Sequence, residues 1–141
     1  MTVAVQSEKL SQLSQAIFAA AGTPDDIAKA VAESLVHTNL LGHDSHGVIR
    51  VKQYVNMIDE GRIHPSVRPE VVKQFGAIAT ITGGYGFGQI GARFGAELAA
   101  ELGKEHGLSA VSIADVTHIG RLGEYTKIIA DQGLVGIGFT G

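Results

Sequence analysis

The first 65 residues place apolar side chains three and four positions apart, which is the spacing of amphipathic helices. Leu10, Leu13 and Ile17 form one such stripe, and Thr23 with Pro24 gives a second helix start, a hydroxyl cap followed by proline. The predicted helices run from Ser7, as N-cap, to Gly22, from Thr23 to Gly42, and from about His46 to Glu60.

Beyond residue 65 the pattern changes to short apolar runs separated by glycines. Glu70–Phe75 and Ala77–Thr82 read as two strands joined at Gly76, a hairpin. The remaining elements are predicted as a helix from about Gln89 to Glu105, a strand at Leu108–Ala114, a helix at Leu122–Asp131 and a strand at Leu134–Phe139.

This order predicts an α/β fold: an amino-terminal helical layer, then a hairpin and a strand-helix-strand-helix-strand sheet. Residues 1–65 are the helical part and residues 66–141 the α/β part. No linker or repeat divides them, so one domain over 1–141 is expected.

Composition narrows the class of partner. A 45% apolar fraction over 141 residues supports a folded core, while a net charge of −3 without a Lys/Arg-rich run disfavours nucleic acid and anionic membranes. No cysteine is present, and neither a secretory signal nor a membrane-length apolar run is visible. These features predict a cytoplasmic protein with a small-molecule partner.

The segment from Gly42 to Arg50 concentrates chemistry. It holds two imidazoles, a carboxylate, a hydroxyl and a guanidinium, which are groups that bind and protonate small anions. On the predicted third helix His46, Arg50 and Tyr54 would share one face, and Ser45 would lie at the amino end where free amides favour anions. These groups suit a carboxylate, although Arg50 could instead pair with Asp44 and Ser45 could simply cap the helix.

His118 is the second candidate. It follows an apolar strand in a turn, where open α/β sheets commonly place ligand-binding residues, and Asp115 or Thr117 could hold its second nitrogen. A surface histidine in a loop is the competing explanation.

A G-x-G-x-x-G run at Gly86–Gly91 follows a strand and precedes a helix, as a dinucleotide fingerprint requires. However, its strand belongs to a hairpin, and Asp115 lies ~24 residues beyond Gly91 rather than the ~20 expected of a ribose-binding acid. We therefore interpret the glycines as a tight turn with close helix packing.

Three blocks together resemble the malate/L-lactate dehydrogenase family, which includes sulfolactate and ureidoglycolate dehydrogenases. The first is His43–Arg50 with Tyr54, the second Gly84–Gln89, and the third Thr117–Tyr125 with the Ala130–Ile137 segment after it. The resemblance runs through nearly the whole chain, but family enzymes are more than twice as long. The chain therefore resembles an amino-terminal portion.

The resemblance implies a non-Rossmann, sulfolactate-dehydrogenase-like fold, a homodimer, and hydride transfer between NAD or NADP and a small 2-hydroxy or 2-oxo acid of malate or lactate type. It implies His118 as the catalytic acid/base and a substrate pocket lined by Ser45, His46, Arg50 and Tyr54. It assigns no cofactor-binding residue within this sequence.

Two alternatives stay open. The chain could be a truncated, non-catalytic fragment of such an enzyme. Less well supported is a metal-binding protein, using His43, Asp44 and His46, or His118 with Asp115. No metal is predicted.

Overall fold

The computed structural model describes residues 4–141. The chain divides into two compact units, one ending at Ser66 and the other spanning Val67–Gly141. The first contains helices α1 (Ser7–Ala20), α2 (Asp25–Leu40) and α3 (Arg50–Asp59), with a 3₁₀ turn at Asp44–His46. The second contains strands β1 (Glu70–Phe75), β2 (Ile78–Thr82) and β3 (Ala110–Ala114), and helices α4 (Gly88–His106) and α5 (Gly123–Ala130).

The helical unit is built around α2. Its buried stripe contains Ile27, Val31 and Leu35, and Phe18 of α1 is likewise fully buried. Burying one such side chain stabilises the fold by about 1.5–3 kcal/mol. The predicted stripe of Leu10, Leu13 and Ile17 is wrong for α1, because Leu13 and Ile17 are exposed and the buried residues of this helix are Ser14 and Phe18.

The helix starts differ from the sequence prediction. Ser7 is the first helical residue rather than the cap, and Pro24 rather than Thr23 occupies the cap position of α2. No side-chain hydrogen bond caps either helix. The predicted third helix was also placed too early, because the 3₁₀ turn and Gly47, with ψ −150°, precede α3.

The second unit contains the predicted α/β arrangement, except for its final strand. Its sheet has the order β1-β2-β3, with β1 antiparallel to β2 and β3 parallel to β2. The hairpin is confirmed, and its register shifts between Val71 and Lys73, which marks a bulge. Ala79 and Ile81 are the buried residues of β2, as a strand with one covered face requires.

Helix α4 packs closely on the sheet and on α5. A Cβ at Gly95 would lie 2.7 Å from Cδ1 of Ile113, so this glycine permits the approach of α4 to β3. Arg93 binds Glu124 of α5 through Nε and Nη2, each 2.7 Å from Oε1. The helix ends at Gly107, whose φ of +81° gives the left-handed C-cap that the glycine predicted.

The predicted last strand, Leu134–Phe139, is wrong. The segment has no assigned strand; Val135, Ile137 and Phe139 are exposed, whereas Gly136 and Gly138 lie against side chains of α5 and its preceding residue. The apolar alternation is real, but a strand needs a hydrogen-bonding neighbour, which the sequence pattern cannot reveal. Within residues 4–141, no helix combines the length and apolar character required to cross a membrane.

Candidate functional site

The 3₁₀ turn brings three of the predicted substrate-binding residues together. Oγ of Ser45 lies 2.9 Å from Nδ1 of His46, and Nε of Arg50 donates to the carbonyl oxygen of Ser45 at 2.7 Å. Nη1 of Arg50 donates to Oε1 of Gln53 at 2.6 Å. The predicted proximity of serine, imidazole and guanidinium is therefore present, with a different local geometry.

The spacing of four residues predicted that His46 and Arg50 share one face of a helix. They do not, because His46 lies in the 3₁₀ turn and Arg50 is the first residue of α3. The first amides of α3 are already used, since the N–H of Arg50 donates to the carbonyl of Gly47 and that of Val51 to Val48. The expected anion site at free helix amides next to Ser45 is therefore wrong.

Tyr54 occupies a different environment from the other three. It is fully buried, and its ring stacks on Phe18 with centroids 6.3 Å apart and planes inclined by 29°. Packing in the helical core explains this tyrosine. A place for it in the wall of a substrate pocket stays a prediction.

Asp44 is held by an amide rather than by Arg50. Nδ2 of Asn39 donates to Oδ1 of Asp44 at 2.5 Å, and Oδ1 of the same amide accepts the N–H of Val48 at 2.8 Å. Asn39 is thus the structural residue that sequence reasoning missed. An asparagine near a helix end is a common capping signal, and nothing in the sequence pointed to this loop.

His118 belongs to the second unit, in the loop that follows β3. It is half-buried, and the loop leaves the strand through Asp115 in the left-handed conformation, φ +52°. Tyr85, also left-handed with φ +59°, donates its N–H to the carbonyl of Asp115 at 2.6 Å. The hydrogen bond thus joins two loops at residues whose left-handed conformation is uncommon outside glycine.

The segment Gly86–Gly91, called the glycine loop below, contacts the backbone around His118 and holds it in place. Oγ1 of Thr117 donates to the carbonyl of Gly86 at 2.9 Å and accepts the N–H of Gly88 at 3.2 Å. A Cβ at Gly88 would lie 2.4 Å from the carbonyl oxygen of Thr117 and 2.5 Å from that of His118. The interpretation of these glycines as close packing is confirmed.

The same contacts show whether the glycine loop has room to bind a phosphate group. Gly86, Gly88 and Gly91 are all buried, and the space beside each is occupied by protein atoms. The loop therefore does not fit the diphosphate of a dinucleotide. The carboxylate of Asp115, the candidate ribose-binding acid, accepts from Oγ1 of Thr82 at 3.2 Å.

Support of His118 by Asp115 or Thr117 stays a prediction, since both side chains make the loop contacts above. For the metal-binding alternative, no three histidine, aspartate or glutamate side chains in residues 4–141 converge on a position where they could hold an ion. The geometry gives that alternative no support.

Comparison with known proteins agrees with this architecture. A family described as malate/L-lactate dehydrogenase matches residues 5–141. Hydroxycarboxylate dehydrogenase B of Escherichia coli is 35% identical over 133 residues, which cover 94% of this chain and 37% of that protein.

Solved structures show the same fold. Sulfolactate dehydrogenase from Methanocaldococcus jannaschii superposes with a TM-score of 0.87 at 30% identity, covering 91% of this chain and 37% of its own. Malate dehydrogenase from Entamoeba histolytica gives a TM-score of 0.89 at 27% identity, covering 94% and 37%. The chain thus spans little more than a third of the length of these relatives.

Proposed function

The chain belongs to the malate/L-lactate dehydrogenase family, and we propose that it supplies the substrate-binding and proton-transfer residues of an oxidoreductase acting on a small 2-hydroxy or 2-oxo acid. The observation that carries the proposal is that Ser45 contacts both of the other residues, His46 through its hydroxyl and Arg50 through its carbonyl oxygen. The relatives are hydroxycarboxylate, malate and sulfolactate dehydrogenases.

Arg50 is proposed to hold the substrate carboxylate. Its contacts to Ser45 and Gln53 use two of the five guanidinium N–H donors, and the remaining fork matches a carboxylate in geometry and charge. The Ser45 hydroxyl and the His46 imidazole, 2.9 Å apart, would add hydrogen bonds to substrate oxygens. Fixing the acid in this way lowers the entropic cost of reaction.

His118 is proposed as the general acid and base at the substrate C2 oxygen. Imidazole suits this role because a histidine titrates near neutral pH and can both give and take a proton. Its loop is joined to the glycine loop through the Thr117 hydroxyl, which limits movement of the backbone next to His118.

A nicotinamide, as NAD or NADP, is the proposed hydride partner at C2. The glycine loop does not fit the diphosphate of this cofactor. The residues that bind the cofactor are therefore proposed to lie elsewhere in the assembled enzyme. A homodimer is proposed from the resemblance alone. Because the chain spans 37% of its Escherichia coli relative, we also propose that it does not turn over substrate unaided.

The test follows oxidation of NADH and NADPH with pyruvate or oxaloacetate. The purified chain is assayed alone and mixed with the part of the Escherichia coli relative that this chain does not match. Turnover is expected in the mixture, and His118→Ala should lower kcat by about 10²- to 10⁴-fold with little change in KM.

His118→Gln, which keeps a hydrogen-bonding side chain but cannot transfer the proton, is the matched control and should be as slow as His118→Ala. A mixture in which either variant turns over as fast as the wild-type chain contradicts the role of His118. Binding of neither cofactor nor substrate by the mixture would favour the alternative of a folded, non-catalytic fragment.

A further inference from the structure

We infer that Asn39 is a positioning residue for the substrate-binding turn, the 3₁₀ turn at Asp44–His46. Its side-chain amide hydrogen-bonds both Asp44 and Val48, and this pair of bonds is called the bridge below. The inference rests on the proposed function for its consequence on binding, but its structural part stands independently. Asn39 is the penultimate residue of α2, and Asp44 opens the 3₁₀ turn that carries Ser45 and His46.

The orientation of the amide follows from its partners. The N–H of Val48 can only donate, so the Asn39 atom 2.8 Å away has to be the oxygen. The nitrogen then faces Oδ1 of Asp44 at 2.5 Å, where it donates to a carboxylate. Charge-assisted bonds of this kind are about twice as strong as neutral ones.

The bridge encloses the turn from both ends. Asp44 is the first residue of the 3₁₀ turn, and Val48 lies just beyond it, so one side chain spans Ser45, His46 and Gly47. The backbone of α2 adds support, because the N–H of Gly42 donates to the carbonyl of Asn39. The turn is therefore fixed to a packed helix and not only to itself.

The Asn39 amide packs directly against the backbone of Gly47. A Cβ at Gly47 would lie 2.1 Å from Oδ1 of Asn39 and 2.4 Å from its Cγ. Any larger residue at this position would displace the amide. The buried glycine directly after His46 is thus explained by Asn39, and not by flexibility of the loop.

The consequence concerns Ser45 and His46. Their side chains lie 2.9 Å apart, and the carbonyl of Ser45 also accepts from Arg50. Moving the turn changes all three groups at once. Loss of the bridge should therefore disturb substrate binding although Asn39 belongs to none of the groups proposed to touch the substrate.

A polarity swap tests the bridge. Asn39→Asp places two carboxylates together and should break the contact to Asp44, whereas the double variant Asn39→Asp, Asp44→Asn restores a donor and an acceptor in reversed order. The first readout is the ring-nitrogen NMR signals of His46, which report whether Nδ1 keeps the Ser45 hydroxyl as partner. The second is the affinity of the full chain for pyruvate.

Asn39→Asp is expected to shift the His46 ring signals and weaken pyruvate binding about tenfold, the effect of one lost charge-assisted bond. The double variant should recover both. If Asn39→Asp fails to fold, Asp44→Ala removes one end of the bridge and should shift the same signals in the same direction by a smaller amount.

Unchanged His46 signals in folded Asn39→Asp, or a double variant as disturbed as the single one, would overturn the inference. The same experiment distinguishes failure of the positioning role of Asn39 from failure of the proposed function. If the His46 signals change and recover as expected while the wild-type chain does not bind pyruvate, the positioning role stands and the proposed substrate fails.

Discussion

At the scale of single residues, Arg50 determines whether the turn at Asp44–His46 is a binding site or a capping arrangement. Its guanidinium is anchored by the Ser45 carbonyl and by Gln53, which sets the direction of the remaining donors. A lysine keeps the charge but loses the planar fork and the anchoring bond from Nε.

Arg50→Lys is therefore expected to weaken the binding of pyruvate about tenfold or more, measured as Kd on the chain or KM in the assembled enzyme. Gln53→Ala is the matched control, since it removes only the contact to Nη1 and should change affinity by less than about threefold. Equal affinities for the arginine and lysine forms would show that Arg50 serves the loop and not the substrate.

Sequence reasoning singled out the polar residues of the turn but not the residues that support it. Ser45, His46 and Arg50 stood out because no core explains so many polar groups between glycines. The spacing of four then placed His46 on a helix, and this was wrong because Gly47 interrupts the helix. Asn39 was missed because its partners are set by the three-dimensional path of the loop.

At the scale of elements, the start of α4 and the loop carrying His118 form one packed structure. Gly88 donates to Thr117 and has no room for a side chain, because the carbonyls of Thr117 and His118 lie against it. The G-x-G-x-x-G spacing therefore serves contact between two loops. Sequence alone favoured this interpretation, but the identity of the contacted loop required the structure.

Gly88→Ala is expected to destabilise the protein by about 1–3 kcal/mol, the cost of overpacking, and to perturb the ring signals of His118. Gly103→Ala is the matched control on the same helix. A Cβ there would meet only ordinary contacts at 3.4 Å, so alanine should stabilise the helix by about 0.5–1 kcal/mol.

Urea unfolding of both variants measures the difference. A Gly88→Ala protein as stable as the wild type would mean that the loop carrying His118 yields easily, and would contradict the claim that Gly88 holds the backbone of that loop in place. The alternating pattern fails as a guide at Leu134–Phe139, which alternates as a strand does but pairs with no strand among residues 4–141.

At the scale of the whole molecule, the chain carries the fold of its relatives over 37% of their length. Several large apolar side chains are open to solvent, among them Phe75 at 83%, Val135 at 92% and Phe139 at 89% exposure. The fold class and the order of the helices and the first three strands were predictable from periodicity and glycine positions. Which side chains are exposed was not, because the same alternating pattern describes a covered strand.

The most direct test of the central claim, that the segment around Ser45, His46 and Arg50 binds a substrate carboxylate, is an NMR titration of the labelled 141-residue chain with pyruvate. We expect saturable shifts of the backbone amides from 44 to 50 and of the His46 ring, and their loss in Arg50→Lys. Shifts that do not saturate, or that spread over the surface lysines and persist in Arg50→Lys, would contradict it.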